Sequence, residues 1–494
     1  MNPIDDALSK ANLRAEDIDL VILAGGSSQL PGVAEKIKEK IGLAPRSIPQ
    51  NPMLAISYGA ALYQRRMFTL PKINKDVRTL GMSLGILVTD GTRTMPELLV
   101  DYNEPLPVTK EHTFHVQDGQ DVVTIDFVTM HYTSDRVLQH LKKRTLKLSR
   151  GAEEILVKIT VNENRIIELL AYDPKHPEDR TLIQHDAKPM SQEDAVRERQ
   201  RLGITVSSNS AATAQQPCIG IDLGTTTSEL TYATRSENTE LSYLSNPDVP
   251  YEYAEYCFPS VVYFEEDDGV PEVATKRACD ALSDAGKSDR ACGQFKIADR
   301  NKPVLYVGGK ALSVQDLSMY LLNRIWNTAI EHFRNIQLKS AVVTVPAAFN
   351  SDACQDTYNA AIGAGIEKVT LIDEPTAAFL YYEHIQNLDT SNIENVLVFD
   401  FGGGTTDVAI LDITRSGLTD HMSCKECLYT VLSFSGETSC GGKHVDEAIL
   451  EEIKTRFETA NGCKISAPSL QRLRKKVENA KIALSQEYSE VNGF

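Results

Sequence analysis

Two loops in the sequence combine residue types that bind phosphate and metal. The first, DLGTTT, begins at Asp222 after the apolar run CIGI, and the second, DFGGGTTD, runs from Asp400 to Asp407 after NVLVF. Glycine lets a tight turn bring backbone N–H groups against phosphate oxygens, and threonine hydroxyls add donors. Carboxylates at strand ends are hard oxygen ligands for magnesium, directly or through water. Together the loops predict a site that clamps a polyphosphate from two sides.

The pairing of the two loops makes this interpretation more specific than either loop alone. Two ordinary hairpins with glycine turns would be the simpler explanation, but they would not need an aspartate at each strand end. The chain contains no GxxxxGK[ST] sequence, so it is not a P-loop protein. We therefore expect a nucleotide site of a different architecture.

The elements that must position these loops differ along the chain. Residues 1–67 predict helix, strand, helix, helix, an α/β fragment too small to be a whole domain. Residues 77–175 carry short alternating runs, and VKITVNENRIIELLAY has hairpin patterning, so an all-β sandwich is expected. Residues 178–203 are charged and predict a helix, and residues 205–217 are typical of a flexible linker. After these, CIGIDL, SAVVTV, KVTLID and NVLVFDF are the apolar strands of a sheet covered by helices.

Composition excludes several classes of partner. The chain has 494 residues, enough for about three domains, and a formal net charge of −17, which argues against nucleic acid or an anionic membrane as the main partner. No apolar run is long enough for a membrane span and the start is no secretory signal, so a cytoplasmic location is expected. The nine cysteines are irregularly spaced and predict no disulfide framework; Cys424 and Cys427 form one CxxC without a second ligand pair.

A series of motifs resembles a known family. IGIDLGTTTSEL, VTVPAAFN, LIDEPTAA, VFDFGGGTTDVAI, SGETSCGGKHVDEAIL and VENAKIALS are similar to the successive signatures of the seventy-kilodalton heat-shock chaperones, members of the actin, sugar-kinase and heat-shock ATPase superfamily. A generic sugar kinase would share the two phosphate loops but not DEPTAA followed by GGKHVD and ENAKIALS. The resemblance implies an ATP-dependent, magnesium-using chaperone that takes part in protein folding and the stress response.

The parts of that family stand in rotated order. DLVILAGGSSQLPGV and NPMLAISYGAALYQ near the start resemble the end of the family's ATPase domain, and the β segment resembles its peptide-binding sandwich. The resemblance implies an α/β actin-like ATPase domain split between the two ends of the chain, plus an all-β peptide-binding sandwich. The expected boundaries are 1–72 for the ATPase tail, 73–180 for the sandwich, 181–216 for the charged segment and linker, and 217–494 for the ATPase head. A short stretch of the family's ATPase domain, expected to include one helix, has no counterpart.

Residue roles follow from the resemblance wherever the motifs match. Asp222, Asp400 and Asp407 would hold Mg²⁺, mostly through water. Lys296 and Glu374 would act on the attacking water and the γ-phosphate together with Asp400 and Thr405. For Lys296 an ordinary surface lysine is an equally good interpretation. The phosphates of ATP or ADP would be bound by the residues of the glycine and threonine loops: Gly224, Thr225, Thr226, Gly402, Gly403, Thr405, Gly441 and Gly442.

The resemblance also places the nucleoside and the peptide. Glu478, Lys481 and Ser485 lie about one helical turn apart and resemble the ribose and adenine contacts, with Gly25 and Gly26 opposite. An ordinary charged helix face is their alternative explanation. In the sandwich the candidates for a groove that takes an extended apolar peptide, or equally for core positions, are Ile86, Val88 and Val123. The implied partners are unfolded polypeptides, with a J-domain co-chaperone and a nucleotide exchange factor as further candidates.

The sequence departs from the family pattern at several positions. Gln29 stands where an arginine usually stacks on adenine, Met53 replaces an acidic residue, and Cys354 replaces an arginine that relays nucleotide state. The interdomain linker KINKDVRTLGMS is short of leucines, and only residues 178–203 are available for a helical lid. These departures weaken the expected coupling between the two domains.

Two alternatives to an active permuted ATPase therefore stay open. One is a non-catalytic protein that binds nucleotide or peptide without turnover. The other is a rearranged product whose ATPase is incomplete. The position of Gly25 and Gly26 distinguishes the incomplete ATPase from a complete one. If these glycines face Asp222 and Asp400 across one cleft, the permuted ATPase is complete in one chain.

Overall fold

The computed structural model describes most of the chain. The described residues are 3–48, 52–69, 80, 83–89, 94–101, 104, 106–117, 120–130, 137–148, 152–176, 181–184, 189–207, 216–236, 238–250, 254–267, 269–284, 286–298, 302, 304–307, 310–388, 392–413, 430–437 and 440–492. Much of the predicted interdomain linker, most of the small-residue segment 205–217, and both Cys424 and Cys427 lie outside these residues. Every helix among them is too short or too polar to span a bilayer.

One five-stranded sheet joins the two ends of the chain. Its strands, in spatial order, are β2 (Arg46–Ser47), β1 (Leu20–Ala24), β22 (Asn395–Phe401), β23 (Thr406–Asp412) and β24 (Thr430–Glu437). β1 runs parallel to β22, with Ala24 beside Asp400. Helices α1 (Pro3–Ala11) and α2 (Val33–Ile41) share a buried apolar cluster with one face of this sheet, and α3 (Ala55–Thr69) and α8 (Glu374–Gln386) with the other. The N-terminal α/β fragment is therefore an integral part of this sheet.

A second sheet carries the DLGTTT loop that begins at Asp222, called the first phosphate-type loop here; DFGGGTTD, Asp400 to Asp407, is the second. It contains β13 (Leu241–Tyr243), β12 (Thr227–Ala233), β11 (Cys218–Asp222), β20 (Ser340–Val345) and β21 (Lys368–Asp373), and β14 (Cys257–Pro259) pairs with β12. Helices α6 (Val314–His332) and α7 (Ser351–Gly363) pack on it, with Trp326 fully buried between. Helix α3 contacts β11 of this sheet and α8 at the same time. The four apolar strands predicted after residue 217 are all present at the predicted places.

Smaller elements complete this part of the molecule. A three-stranded sheet of β15 (Val261–Tyr263), β16 (Glu272–Val273) and β17 (Ala291–Gly293) packs with α5 (Lys276–Ser283), and β18 (Leu305–Val307) pairs with β19 (Lys310–Leu312). Two long helices, α9 (Gly442–Asn461) and α10 (Ala467–Asn492), pack on each other.

Residues 83–184 form a β sandwich, as the alternating pattern predicts. One antiparallel sheet contains β4 (Thr94–Val100), β3 (Ser83–Thr89), β6 (Val122–Met130) and β7 (Val137–Lys147), and the other contains β10 (Thr181–Gln184), β9 (Ile167–Tyr172), β8 (Glu154–Val161) and β5 (Val108–His115). In β8 every second residue is buried, which is the alternation of a strand that covers a core on one face. Phe127 and Val157 belong to the shared core between the two sheets.

The turn between β8 and β9 and the start of β9 contact the α/β part, and helix α4 docks on the α/β part as well. In the turn between β8 and β9, Asn164 Oδ1 accepts a hydrogen bond from the backbone of Leu371 at 2.8 Å. Helix α4 (Gln192–Leu202) begins after Ser191, whose side chain caps it, and lies against α7. The hydroxyl of Tyr320 donates to the carbonyl of Leu202 at 2.6 Å. The predicted charged helix is thus a docked element rather than an isolated one.

Candidate nucleotide site

The two phosphate-type loops face each other across one cleft. A Cβ built on Gly404 would lie 2.9 Å from Cγ2 of Thr225, and one built on Gly403 would lie 2.5 Å from Oγ1 of Thr226. The first loop continues β11 and the second joins β22 to β23, so each leaves the end of a strand in a different sheet. Such close approach is open only to glycine, and it brings backbone and hydroxyl donors from both sheets to one place.

The N-terminal segment closes this cleft beside Asp400. Gly25 follows β1 with a φ of +75°, and a Cβ on it would lie 2.3 Å from Oδ1 of Asp400 and 2.5 Å from the carbonyl oxygen of Phe401. Gly26 follows it and packs near the side chain of Met53. The first and second halves of the candidate site therefore meet within one chain.

A long helix begins at the second loop. The backbone N–H of Gly442 donates to the carbonyl of Gly402 at 3.0 Å, and that of Lys443 donates to the carbonyl of Gly403 at 2.8 Å. Gly441 precedes α9 and offers no side chain to cap it. The positive end of the helix dipole is therefore held against the glycine loop, an arrangement that favours an anion such as phosphate.

Lys296 and Glu374 form a buried ion pair in the cleft. Lys296 lies in a short 3-10 turn after β17, is 6% exposed, and donates to Glu374 Oε1 at 2.7 Å and to the carbonyl of Leu223. Glu374 begins α8, where Asp373 caps the helix. Of the two interpretations that the sequence left open for Lys296, the surface lysine does not fit this position.

Five buried carboxyl groups lie around this lysine. They are Asp222, Glu229, Glu374, Asp400 and Asp407. Burial raises the pKa of all five, and the neighbouring carboxylates raise the pKa of Asp400 further. The pKa of Glu374 is raised to about 8 and that of Asp407 to about 6. The cluster therefore carries an electrostatic cost that a bound cation would offset.

The donor set fits a hydrated divalent cation. Asp400 Oδ1 is buried and accepts no hydrogen bond from the protein, whereas Asp222 Oδ1 accepts one from Thr344 Oγ1 at 2.5 Å. Within the described residues no group of three or more His, Cys, Asp or Glu side chains is placed to ligate a metal directly. Mg²⁺ usually keeps several waters and takes phosphate oxygens as ligands, so carboxylates that reach it through water suit it better than a closed protein cage.

The predicted nucleoside residues lie on α10 beside the N-terminal segment. Lys481 Nζ donates to the carbonyl of Gly442 at 3.0 Å and to Asp446 Oδ2 at 2.7 Å. Ser485 is buried and donates to the carbonyl of Lys481, while Glu478 pairs with Lys475 at 3.3 Å. Lys481 is thus the member of the predicted trio whose side chain contacts the start of α9, the helix that begins against the second loop.

Comparison with known protein families assigns the chain to one of them. Residues 1–214 and 218–492 match the model of the family described as Hsp70 protein. The chain belongs to the Hsp70 family. The family implies, in general terms, an ATP-dependent chaperone that binds ATP and ADP and acts on unfolded polypeptides with co-chaperones. The resemblance found in the motifs is therefore confirmed at the level of the family.

The three peptide-groove candidates of this Hsp70 family member differ in exposure. Ile86 is 3% exposed and belongs to the core between the two sheets. Val88 and Val123 are half-buried and pack against the same core. Val88 pairs with Met95 across β3 and β4, and Met95 is 55% exposed. Only Val88 and Val123 of the three offer side-chain surface at the rim of the sandwich.

Several site residues of this Hsp70 family member were missed by sequence reasoning. Glu229 and Thr344 both touch Asp222, and Tyr488 of α10 donates to Glu35 Oε1 of α2 at 2.7 Å. A charged residue within the otherwise uncharged strand TSELTYA was the available signal for Glu229. No local pattern signals the contact between Tyr488 and Glu35, because 453 positions separate the two residues.

Proposed function

We propose that this chain binds ATP together with Mg²⁺ in the cleft between the two loops, hydrolyses the γ-phosphate, and binds extended apolar peptide segments on its sandwich. The observation that carries the proposal is the position of Gly25 against Asp400. Because β1 and β22 are neighbouring strands of one sheet, the ATPase tail and head would together build one wall of the cleft. This supports the permuted ATPase over a product whose site is incomplete.

The metal would be held mainly by the aspartates at the ends of the two loops. Asp222 and Asp400 approach it from different sheets, and Asp407 lies beside Asp400 across the β22–β23 pair. When bound, Mg²⁺ would offset the negative charge that develops during phosphoryl transfer. The rest of the catalysis would come from protein groups already in place.

The chain's own residues would position the nucleotide and the attacking water. Gly403 and Thr405 on one side and Thr225 and Thr226 on the other would donate to phosphate oxygens. Lys296 would offset negative charge on the γ-phosphate, and Glu374 would accept a hydrogen bond from the attacking water. The new bond joins the water oxygen to phosphorus, ADP leaves with the electron pair of the broken P–O bond, and the protons of the water remain on the inorganic phosphate.

Peptide binding is proposed for the apolar rim of the sandwich. Val88 and Val123 would contact apolar side chains of an extended segment, and the exposed side chain of Met95 would enlarge this surface. Ile86 would support the rim from the core. The contact of Asn164 with the backbone of Leu371 offers a physical route between the sandwich and β21 of the α/β part. A J-domain co-chaperone and a nucleotide exchange factor are proposed partners on family membership alone.

Calorimetric titration with ADP and ATP, in Mg²⁺ and again in EDTA, tests the nucleotide site, and single-turnover phosphate release tests hydrolysis. We expect Mg²⁺-dependent binding that Asp400→Asn weakens by at least about tenfold. Asp412→Asn is the matched control, because Asp412 lies at the opposite end of the same β22–β23 pair, beside Asn395.

The outcomes separate the candidate functions. Mg²⁺-dependent binding with phosphate release supports the ATPase. Binding without release favours the non-catalytic protein, which the altered linker, Gln29, Cys354 and the missing stretch of the ATPase domain motivate. The absence of Mg²⁺-dependent binding in the unmodified chain would contradict the proposal altogether.

A further inference from the structure

A buried glutamate stands directly beside the first aspartate of the site. Glu229 lies on β12, and its residue partner on the neighbouring strand β11 is Asp222. Glu229 is 3% exposed and Asp222 is 7% exposed. Directly opposed residues of an antiparallel pair project from the same face with Cβ atoms roughly 5 Å apart. The two carboxyl groups are therefore neighbours in the interior of the sheet.

Asp222 is held from both neighbouring strands. On one side the hydroxyl of Thr344, on β20, donates to Asp222 Oδ1 at 2.5 Å. On the other side the carboxyl group of Glu229 donates a side-chain hydrogen bond to the carboxylate of Asp222. Contacts from opposite sides restrict rotation about the Cα–Cβ and Cβ–Cγ bonds of an aspartate. The direction of its remaining lone pairs is thereby fixed.

Glu229 is itself fixed in place. Its carboxyl group also takes a hydrogen bond from the side chain of Thr227, two residues earlier on the same strand. Its partner on the far side, in β14, is the buried Cys257. Thr227, Glu229, Asp222 and Thr344 thus form a polar row across three adjacent strands, with Asp222 as the member that continues directly into the first phosphate-type loop.

A buried carboxyl group at this position is costly. An apolar side chain in β12 would avoid the desolvation of Glu229, a penalty of about 1–3 kcal/mol for a buried polar group. A buried polar residue can be retained because it orients a metal-binding side chain. Loss of such an outer-shell partner typically weakens metal binding by about 10- to 100-fold. The row around Asp222 has the geometry of such a partner set.

We propose that Glu229 is a positioning residue that acts with Thr344 to fix the carboxylate of Asp222 for the hydrated Mg²⁺ of the bound nucleotide. This inference rests on the proposed function, because it assigns a further residue to the same site. It predicts an effect that appears only when the metal is present, since Glu229 acts on the nucleotide only through Asp222 and the metal.

Two substitutions of similar size separate positioning from packing and charge. Glu229→Gln keeps a hydrogen-bonding group beside Asp222, whereas Glu229→Met fills the same space without one. Dissociation constants for ADP are measured by calorimetry in Mg²⁺ and in EDTA. We expect Glu229→Met to raise the constant in Mg²⁺ by about tenfold and to leave the constant in EDTA unchanged. Glu229→Gln should stay within about twofold of the unmodified chain in both conditions, because its amide retains the contact.

The matched control is Glu383→Gln, which removes another buried carboxyl group. Glu383 lies on α8, and its Oε2 atom is 2.5 Å from a guanidinium nitrogen of Arg66 on α3. Its substitution should lower thermal stability without a change in Mg²⁺-dependent ADP binding. If Glu229→Met does not fold, Thr344→Val removes the other hydrogen bond to Asp222 at nearly constant shape and should produce the same metal-specific loss.

Three results would overturn the inference. Glu229→Met could bind Mg²⁺ and ADP as tightly as the unmodified chain, it could weaken binding equally in EDTA, or both Glu229 variants could bind more tightly through relief of charge repulsion. Failure of the proposed function looks different, because the unmodified chain would then show no advantage of Mg²⁺ over EDTA.

Discussion

The ammonium group of Lys296 lies 2.7 Å from Oε1 of Glu374, and both side chains are buried at the junction of the two loops. Pairing with Glu374 offsets part of the cost of burying the ammonium group of Lys296. The pair thus links the two groups that the resemblance assigns to chemistry rather than to binding.

Removal of the Lys296 charge should impair hydrolysis far more than binding. Lys296→Ala is expected to reduce single-turnover phosphate release by about 100- to 1000-fold, the usual cost of losing one preorganised group that stabilises transition-state charge. ADP affinity in Mg²⁺ should change by less than about threefold, because the loops and aspartates remain. Lys287→Ala, at an exposed position, serves as the control. Hydrolysis at the unmodified rate in Lys296→Ala would assign the lysine a structural role only.

Gly25 allows a direct test of whether the chain ends form one cleft. Gly25→Ala places a methyl group in the space of Asp400 Oδ1 and the Phe401 carbonyl at a φ of +75°, so the backbone must shift. Gly42→Ala is the matched control, because Gly42 has a φ of +87° and nothing within 4 Å of its Cβ position.

The control should cost about 1 kcal/mol in the free energy of unfolding, and Gly25→Ala about 1–3 kcal/mol more, because overpacking adds to the backbone strain. Gly25→Ala should also weaken Mg²⁺-dependent ADP binding, whereas the control should not. Equal stability and equal ADP affinity in the two variants would show that Gly25 does not approach Asp400 in solution. Chemical denaturation and calorimetry provide the two measurements.

Local patterns predicted the elements well, because periodicity and turn residues are properties of short segments. The strands β11, β20, β21 and β22 and the β8–β9 hairpin are where alternation and apolar runs place them. The motifs also named both phosphate-type loops. These features depend on residues within about ten positions of each other.

Contacts between segments that are distant in the sequence could not be predicted from such local patterns. The contact of Ala24 with Asp400 and that of Lys481 with Gly442 depend on packing between elements, which a single sequence does not encode locally. Lys296 could not be distinguished from a surface lysine, since its burial is created by β11 and α8 around it. The alternating pattern around Ile86 is the same for a groove residue and for a core residue. Its place in the core depends on the opposing sheet, which the local pattern does not reveal.

The raised pKa of Glu374 predicts the direction of a pH effect on the nucleotide-free chain. Burial raises this pKa from 4.5 to about 8, so between these values the folded state holds a proton that the unfolded state has lost. The contribution of Glu374 to the free energy of unfolding is therefore greatest below pH 4.5 and falls as the pH rises towards 8. Above pH 8 this contribution is constant. The slope for one such group is at most about 1.4 kcal/mol per pH unit.

Thermal unfolding in EDTA between pH 5 and 8.5 measures this effect. Glu374→Gln cannot titrate, so its unfolding temperature should fall less between pH 6 and 8 than that of the unmodified chain. Glu383→Gln should retain the full slope, because the pKa shift belongs to Glu374. Parallel curves for the unmodified chain and Glu374→Gln would show that other groups carry the pH dependence.

Tyr488 and Glu35 connect two helices that flank the candidate nucleoside site. Tyr488 lies one turn after Ser485 on α10, and Glu35 lies on α2, which follows the turn that begins at Gly26. Their 2.7 Å hydrogen bond therefore joins the C-terminal helix to the N-terminal segment. With the nucleoside bound as proposed between Gly25 and Lys481, this contact should slow nucleotide release and leave the rate of hydrolysis unchanged.

Tyr488→Phe removes only the hydroxyl and should accelerate release of a fluorescent ADP analogue by about two- to fivefold, the range expected for one partly exposed hydrogen bond. Glu35→Gln should have an effect of similar size, and the double variant should add little, because both substitutions break the same contact. Single-turnover hydrolysis should be unchanged in all three, since neither residue approaches Lys296 or Glu374. Additive effects on release would show that the two residues act independently, and the helices would then be held together by packing alone.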